Sequence, residues 1–310
     1  VIDTAKAIAV IANNPENADV VSLEGMDKSS HPAVPIIALP TTAGTGSETT
    51  MDYVITNTKE KRKMACMDSK VVPAAAILDT EIMASLPLKL TAATAMDALT
   101  HAVESYLSLG AFSFSETLSL KSVSLISENF LKVLENPGDY EVRKELAIAQ
   151  YMAGMSFTNV GLGIVHSMAH KTGAAFSGGH IIHGAANAMY LPKVIKFNAA
   201  NAEASERYAD IARFINLPGN TTEELVESLI EELRNMNRML NIPLAIKNYG
   251  EGGLIADNSI IDEKEFLDKL PAVAELAIGD ACTGSNPRIP TQEEMEKLLK
   301  CCYYDLEVDF

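Results

Sequence analysis

Five of the six histidines, His101, His166, His170, His180 and His183, fall within one stretch of the 310-residue chain. Imidazole nitrogens and carboxylate oxygens together suit borderline divalent ions such as Fe(II) and Zn(II). Asp97 and His101 stand four apart in a segment with helical patterning. At that spacing they share one face, a turn apart, so an acidic oxygen and an imidazole nitrogen reach one cation. A helix-surface ion pair has the same spacing. His166 and His170 repeat it inside GLGIVHSMAH (161–170), a small and apolar context. Two imidazoles on one buried face need polar partners; a metal supplies them, and so does a hydrogen-bonded imidazole pair. His180 and His183 lie in GGHIIHG (178–184), where glycines let the backbone turn a histidine back toward the preceding helix. A plain loop with two histidines reads the same way. Taken together, the three segments offer one carboxylate and several imidazoles. The absence of nearby cysteines argues against a structural zinc knuckle. Three or four O/N ligands with room for a substrate argue for catalysis.

A second region with chemical potential is the loop Pro40-Thr41-Thr42-Ala43-Gly44-Thr45-Gly46-Ser47-Glu48, which follows a short apolar run. Its backbone N–H groups and threonine hydroxyls suit a phosphate or a nicotinamide carboxamide. It is neither a Walker loop nor GxGxxG, and an ordinary polar connection is the alternative. Lys63 ends the basic cluster KEKRK (59–63); such a cluster is a solvated turn or, in an acidic protein, a holder of pyrophosphate or ribose.

The elements that must position these residues have two textures. Residues 1 to about 80 alternate short apolar runs with turns: a helix over 4–12, and strands over 34–39, 52–56, 63–67 and 74–79. This alternation predicts α/β structure. From about 85 the pattern is helical, with helices expected over 88–107, 115–133, 141–159, 165–176, 202–215, 222–239, 263–277 and 291–301. The reading is an α/β domain over 1–84 followed by an all-helical domain over 85–310.

Composition bounds the function. Lys and Arg number 25 against 41 Asp and Glu, a formal net charge of −16, which opposes binding to nucleic acid or anionic membranes. No apolar run approaches the roughly 18 residues of a membrane span, and Val1–Lys6 lack the basic start of a signal peptide. The four cysteines, Cys66, Cys282, Cys301 and Cys302, include no CxxC pair. Reduced thiols in a cytoplasmic protein are the simplest reading.

The chain resembles the iron-containing (group III) alcohol dehydrogenases, near their butanol and 1,3-propanediol dehydrogenase members. The resemblance spans the chain and rests on ALPTTAGTGSE (38–48), ILDTEIMASLP and MDALTHAVE (77–104), GLGIVHSMAHKTGA (161–174), HGAANAMYLP (183–192) and CTGSNPR (282–288). It implies a partial Rossmann-like dinucleotide-binding domain followed by a helical metal-binding domain. It also implies reversible hydride transfer between NAD or NADP and a small primary alcohol or aldehyde. Asp97, His101, His166 and His183 match the metal ligands, for Fe2+ or alternatively Zn2+ or another divalent ion. His170 matches the histidine beside nicotinamide and substrate, a catalytic proton relay. Thr41, Thr42, Gly44 and Thr45 match the nicotinamide-side loop, and Lys63 matches the lysine at the ribose. Asp52, Phe157 and Cys282 match positions lining the cofactor and substrate cleft. Asp3 matches the end of a GGGS phosphate loop whose remainder falls before Val1. His180 stands 14 residues after His166, the spacing many relatives use for their last ligand; the HGxAN context selects His183 instead. A homo-oligomer is expected. A zinc-dependent glycerol dehydrogenase-like enzyme and a truncated, non-catalytic fragment are the alternatives.

Overall fold

A computed structural model describes residues 1–59, 62–173, 175–250 and 260–310, with residues 62 and 63 described by their backbone alone. Helix α1 (Ile2–Asn13) and strands β1 (Gly25–Met26), β2 (Ile37–Ala38), β3 (Asp52–Asn57), β4 (Arg62–Met67) and β5 (Ala75–Ala76) build the α/β part. β4 is central in a three-stranded sheet, parallel to β1 and antiparallel to β3, with Val54 opposite Ala65; β2 and β5 form a separate parallel pair. The long strands expected over 34–39 and 74–79 contract to two residues each, and among the described residues each pairs only with the other. Ala7, Val10, Leu23, Tyr53, Met64, Cys66 and Val71 form a small core of their own.

The helical part follows: α2 (Thr80–Ala84), α3 (Leu88–Leu107), α4 (Ser113–Glu135), α5 (Tyr140–Val160), α6 (Ile164–Thr172), α7 (His183–Asn198), α8 (Ala202–Phe214), α9 (Thr222–Met239), α10 (Glu263–Ile278) and α11 (Gln292–Tyr304). α3 is buried along nearly its whole length, packed by α4, α5, α7 and α8. That explains its apolar residues on every side, which an amphipathic surface helix would not show. Two expectations need correction. α6 stops at Thr172 rather than 176, short of Phe176. Residues 183–198, where no helix is expected, form α7 despite Pro192 inside it. An internal proline removes one ladder hydrogen bond, at a cost of about 3 kcal/mol; burial of 14 of the helix's 16 residues, packed against α3, α6, α9 and α11, offsets it.

The end of the chain is locked by charge. Lys193 of α7 is buried, with Nζ 2.7 Å from Asp305 Oδ1. Arg234 of α9 grips the same carboxylate through two bonds of 2.9 and 3.0 Å. Partial burial raises the Asp305 pKa, but Arg234 and Lys193 outweigh it and hold it below 3.8. Asp305→Asn keeps a residue that tolerates the left-handed φ of 58° there and removes only the charge. The expected loss is about 2–3 kcal/mol in chemical denaturation at neutral pH, because Lys193 is left buried and unpaired. A lowered folded-state pKa stabilises above the unfolded value of about 3.9 and loses that effect as pH falls through the folded value. The gap between wild type and variant should therefore close in acid.

Candidate metal centre

α3 carries Asp97, His101 and Glu104 on one stripe, all buried. α6 brings His166 against it. A ligand atom each of Asp97, His101 and His166 lies within 4.8 Å of the others. Asp97 Oδ1 is 3.7 Å from His166 Nε2 and 3.6 Å from His183 Nε2. Those separations exceed a hydrogen bond. They are close to the roughly 3.4 Å between two ligand atoms that share a tetrahedral ion at 2.0–2.1 Å. His101 is sandwiched between the Phe157 ring, centroid 4.4 Å away, and the His166 ring at 4.5 Å.

His183 reaches the cluster because it is the first residue of α7, not part of a loop. The next residue, Gly184, packs directly on α3: a Cβ there would stand 1.9 Å from the Ala93 carbonyl oxygen. Only glycine lets α7 start this close. His183 remains about a third exposed, facing the cleft. His180 is exposed, with its ring near Gly173, and the group of donors that includes Asp97 contains His101 and His166 rather than His180.

Two further residues shape the cluster, and sequence reasoning did not single them out. Glu104 Oε2 accepts from His166 Nδ1 at 2.5 Å, and its Oε1 accepts the Val165 N–H at 2.7 Å. One carboxylate thus caps the start of α6 and fixes the imidazole with its proton on Nδ1, leaving Nε2 directed at Asp97. Its position three residues beyond His101 was the available signal. Asn187, one turn into α7, donates from Nδ2 to Asp97 Oδ1 at 2.8 Å; the HGxAN segment held that clue.

The protonation pattern readies two of the three imidazoles to bind an ion. Burial, reinforced by the neighbouring imidazoles and opposed by Asp97, pushes the His101 pKa down to about 3. Burial also lowers His183 well below its ordinary value, and the amino end of α7 favours the neutral ring as well. Both therefore present lone pairs at neutral pH. Burial acts on His166 in the same direction, but the Glu104 and Asp97 carboxylates prevail and raise it to about 9, so its Nε2 proton must leave before that nitrogen binds a cation. Burial disfavours the Asp97 anion, yet the surrounding imidazoles hold its pKa well below the carboxylate range. His101 Nδ1 and Asn187 Oδ1 are buried with no hydrogen-bond partner among the described residues. Unpaired buried polar atoms are rare; of the five among the described residues, these two lie in the cluster, as expected of a polar site shaped for an ion. The donor set of imidazoles and one carboxylate matches Fe(II) or Zn(II) chemistry.

The remaining residues lie around the cluster and along the Gly/Thr loop. His170 stacks on His183 at 5.4 Å, 6° from parallel. Its Nδ1 is 3.2 Å from Asp280 Oδ2, which Lys171 Nζ also approaches at 2.8 Å. Cys282 is partly buried, and burial pushes its thiol well above the ordinary value. The Gly/Thr loop seats on the helical part at two points. Gly44 abuts Thr94 of α3, and its carbonyl lies beside the His101 ring. Gly46, at φ +63°, meets Gly154 of α5 at 2.9 Å from where a Cβ would be, and its N–H donates to Gln150 Oε1 at 2.9 Å. Thr41 and Thr45 are exposed and Thr42 half-buried, and the Thr45 hydroxyl accepts the Ser47 N–H at 3.3 Å. Asp3 is engaged: Ser47 Oγ donates to it at 2.6 Å and the Val54 N–H at 2.9 Å. It braces the loop on β3. Lys6, fully buried, does likewise, donating to the Thr50 and Asp52 carbonyls at 2.7 and 2.8 Å. Burial raises the Asp52 carboxyl to about 6 against the pull of Lys6, and His170 is among the charges it feels. The Lys63 side chain lies outside the described residues.

Comparison with known proteins defines the class. Residues 1–80 match the model of iron-containing alcohol dehydrogenase, and residues 91–303 match that of the Fe-containing alcohol dehydrogenase family, C-terminal. An NADPH-dependent butanol dehydrogenase of Clostridium saccharobutylicum is 44% identical over 311 residues, covering 100% of this chain and 76% of that protein. A lactaldehyde reductase of Escherichia coli is 41% identical over 96% of this chain and 72% of its own. The crystal structure of a 1,3-propanediol oxidoreductase superposes with a TM-score of 0.86 at 32% identity, covering 97% of this chain and 74% of that one. The chain belongs to the iron-containing alcohol dehydrogenase family, oxidoreductases that use NAD(P) and a divalent metal. Among the described residues, no helix is long and apolar enough to cross a membrane.

Proposed function

We propose that the protein interconverts a small primary alcohol and its aldehyde, of the butanol or 1,3-propanediol type, with NAD or NADP as hydride partner. The observation that carries this is the convergence of His166 and His183 on one Asp97 oxygen, at 3.7 and 3.6 Å, with His101 in the same buried group. Asp97, His101, His166 and His183 would hold a divalent ion, Fe2+ in the family's usual form. Such an ion supplies Lewis-acid polarisation of the alcohol or aldehyde oxygen.

The chain's own residues do the rest. Phe157, packed on His101, and Cys282, beside His170, give the cleft an apolar wall for the alkyl part of a substrate. His170, about 30% exposed and held by Asp280, stands between the cluster and solvent; it would relay the hydroxyl proton. Thr41, Thr42, Gly44 and Thr45 present the dinucleotide loop, backed by Asp3, with Asp52 at its flank; Lys63 is assigned to the ribose on the resemblance alone. A dinucleotide-binding unit over 1–84 and a metal-binding unit over 85–310 divide these tasks. The kinship to a butanol dehydrogenase and a lactaldehyde reductase supports a short-chain substrate, and a homo-oligomer is the expected assembly.

The test is aldehyde reduction by NADPH and NADH with butanal and 3-hydroxypropanal, before and after exhaustive chelation. Turnover that disappears with the metal and returns on adding Fe2+ is expected. Undiminished turnover in protein shown to be metal-free contradicts the reading. A saturable change in NADPH fluorescence separates a working enzyme from a fragment that no longer binds the dinucleotide.

A further inference from the structure

Beside the Asp97 cluster lies a second set of donor atoms. His170 ends α6, while Asp280 and Cys282 belong to the turn that follows α10. One ligand atom from each lies within 4.8 Å of the other two. All three residues are partly exposed to the cleft, so an ion reaches them without unfolding. The backbone holds the trio together: the Cys282 N–H donates to Asp280 Oδ1 at 3.0 Å, which leaves Oδ2 turned toward His170 and Lys171.

The donor chemistry differs from that of the first cluster. One sulfur, one imidazole nitrogen and one carboxylate oxygen form a set that zinc and cadmium favour and that hard ions such as magnesium do not. Lys171 Nζ, 2.8 Å from Asp280 Oδ2, already balances the carboxylate. A hard cation would displace that ammonium for little gain. A thiophilic cation gains a thiolate bond, releasing the thiol proton to solvent and Lys171 to the cleft.

We propose that His170, Asp280 and Cys282 form a second, inhibitory site for a thiophilic divalent ion, zinc or cadmium, with Lys171 as its built-in substitute cation. An ion there occupies His170, whose ring stacks on that of His183 at 5.4 Å, and so takes from the reaction the imidazole proposed to relay the proton.

The experiment is a cadmium titration of the intact protein, followed by the ultraviolet thiolate-to-cadmium charge-transfer band. The Asp97 cluster holds no sulfur, so ions bound there are silent. A saturable band is expected. It should be lost in Cys282→Ser, shifted to at least about tenfold higher cadmium in Asp280→Asn, which keeps the thiol, and retained in Asp97→Ala. Zinc inhibition of turnover should weaken in parallel by about tenfold or more in both variants of the second site. The inhibition arm rests on the proposed dehydrogenase activity; the spectral arm does not, so the two readings fail separately. No band up to about 1 mM cadmium, an affinity too weak to matter, or an equal band in Cys282→Ser, overturns the site.

Discussion

Asp97→Ala is expected to strip the protein of its divalent metal and to lower alcohol oxidation by about a thousandfold or more. The residue is the hub of the cluster. Its Oδ1 faces His183 and His166 and accepts the Asn187 amide, and it supplies the only carboxylate in the first group. A thousandfold corresponds to about 4 kcal/mol of transition-state stabilisation, within what a Lewis acid contributes. Without Asp97 the three imidazoles lose the anion that holds them together, so remaining metal affinity should be weak and readily chelated. Metal content per chain and kcat/KM on butanol are the measurements. Asp97→Asn, which preserves shape and the Asn187 contact region, should lose nearly as much. Full metal content with full activity in either variant would show the ligand set to be misassigned.

Glu104→Gln has the second-largest expected effect, because its consequence is a change of tautomer. In the wild type, Glu104 takes the proton of His166 Nδ1 and the Val165 N–H with its two oxygens. A glutamine has one oxygen. If that oxygen keeps the cap on Val165, its NH2 faces Nδ1, which must then accept. The imidazole proton moves to Nε2, the nitrogen 3.7 Å from Asp97, where a ligand needs a lone pair. Removing such an outer partner weakens metal binding by about 10–100-fold. Competition against a fluorescent chelator reads this directly, without turnover. An affinity equal to wild type, with the fold intact by circular dichroism, would mean that Glu104 serves only to cap α6.

How much of this was legible beforehand follows from the range of each interaction. The i,i+4 pairs Asp97–His101 and His166–His170 are local geometry on a helix, and the structure puts each pair on a helix, although α6 ends four residues earlier than the periodicity places it. The helices from α3 to α6 and from α8 to α11 were readable for the same reason. α7 was not, because Gly184 and Pro192 are breakers by local propensity, and the packing that overrides them comes from helices distant in sequence. Asn187 stood in the HGxAN segment, but its contact with Asp97 depends on where α7 packs. Asp280 was illegible for another reason: it lies 110 residues from His170, in a turn whose position only the fold determines. The burial of Lys6 beneath β3 has no local signature either, since a lone lysine in an Ala- and Ile-rich helix reads as its solvent side.

The most direct test of the central claim is a crystal structure of the metal-loaded protein with anomalous scattering recorded at the iron absorption edge. One peak bonded to Asp97, His101, His166 and His183 is the expected result. A peak held by His180, or one away from Asp97 altogether, would contradict it.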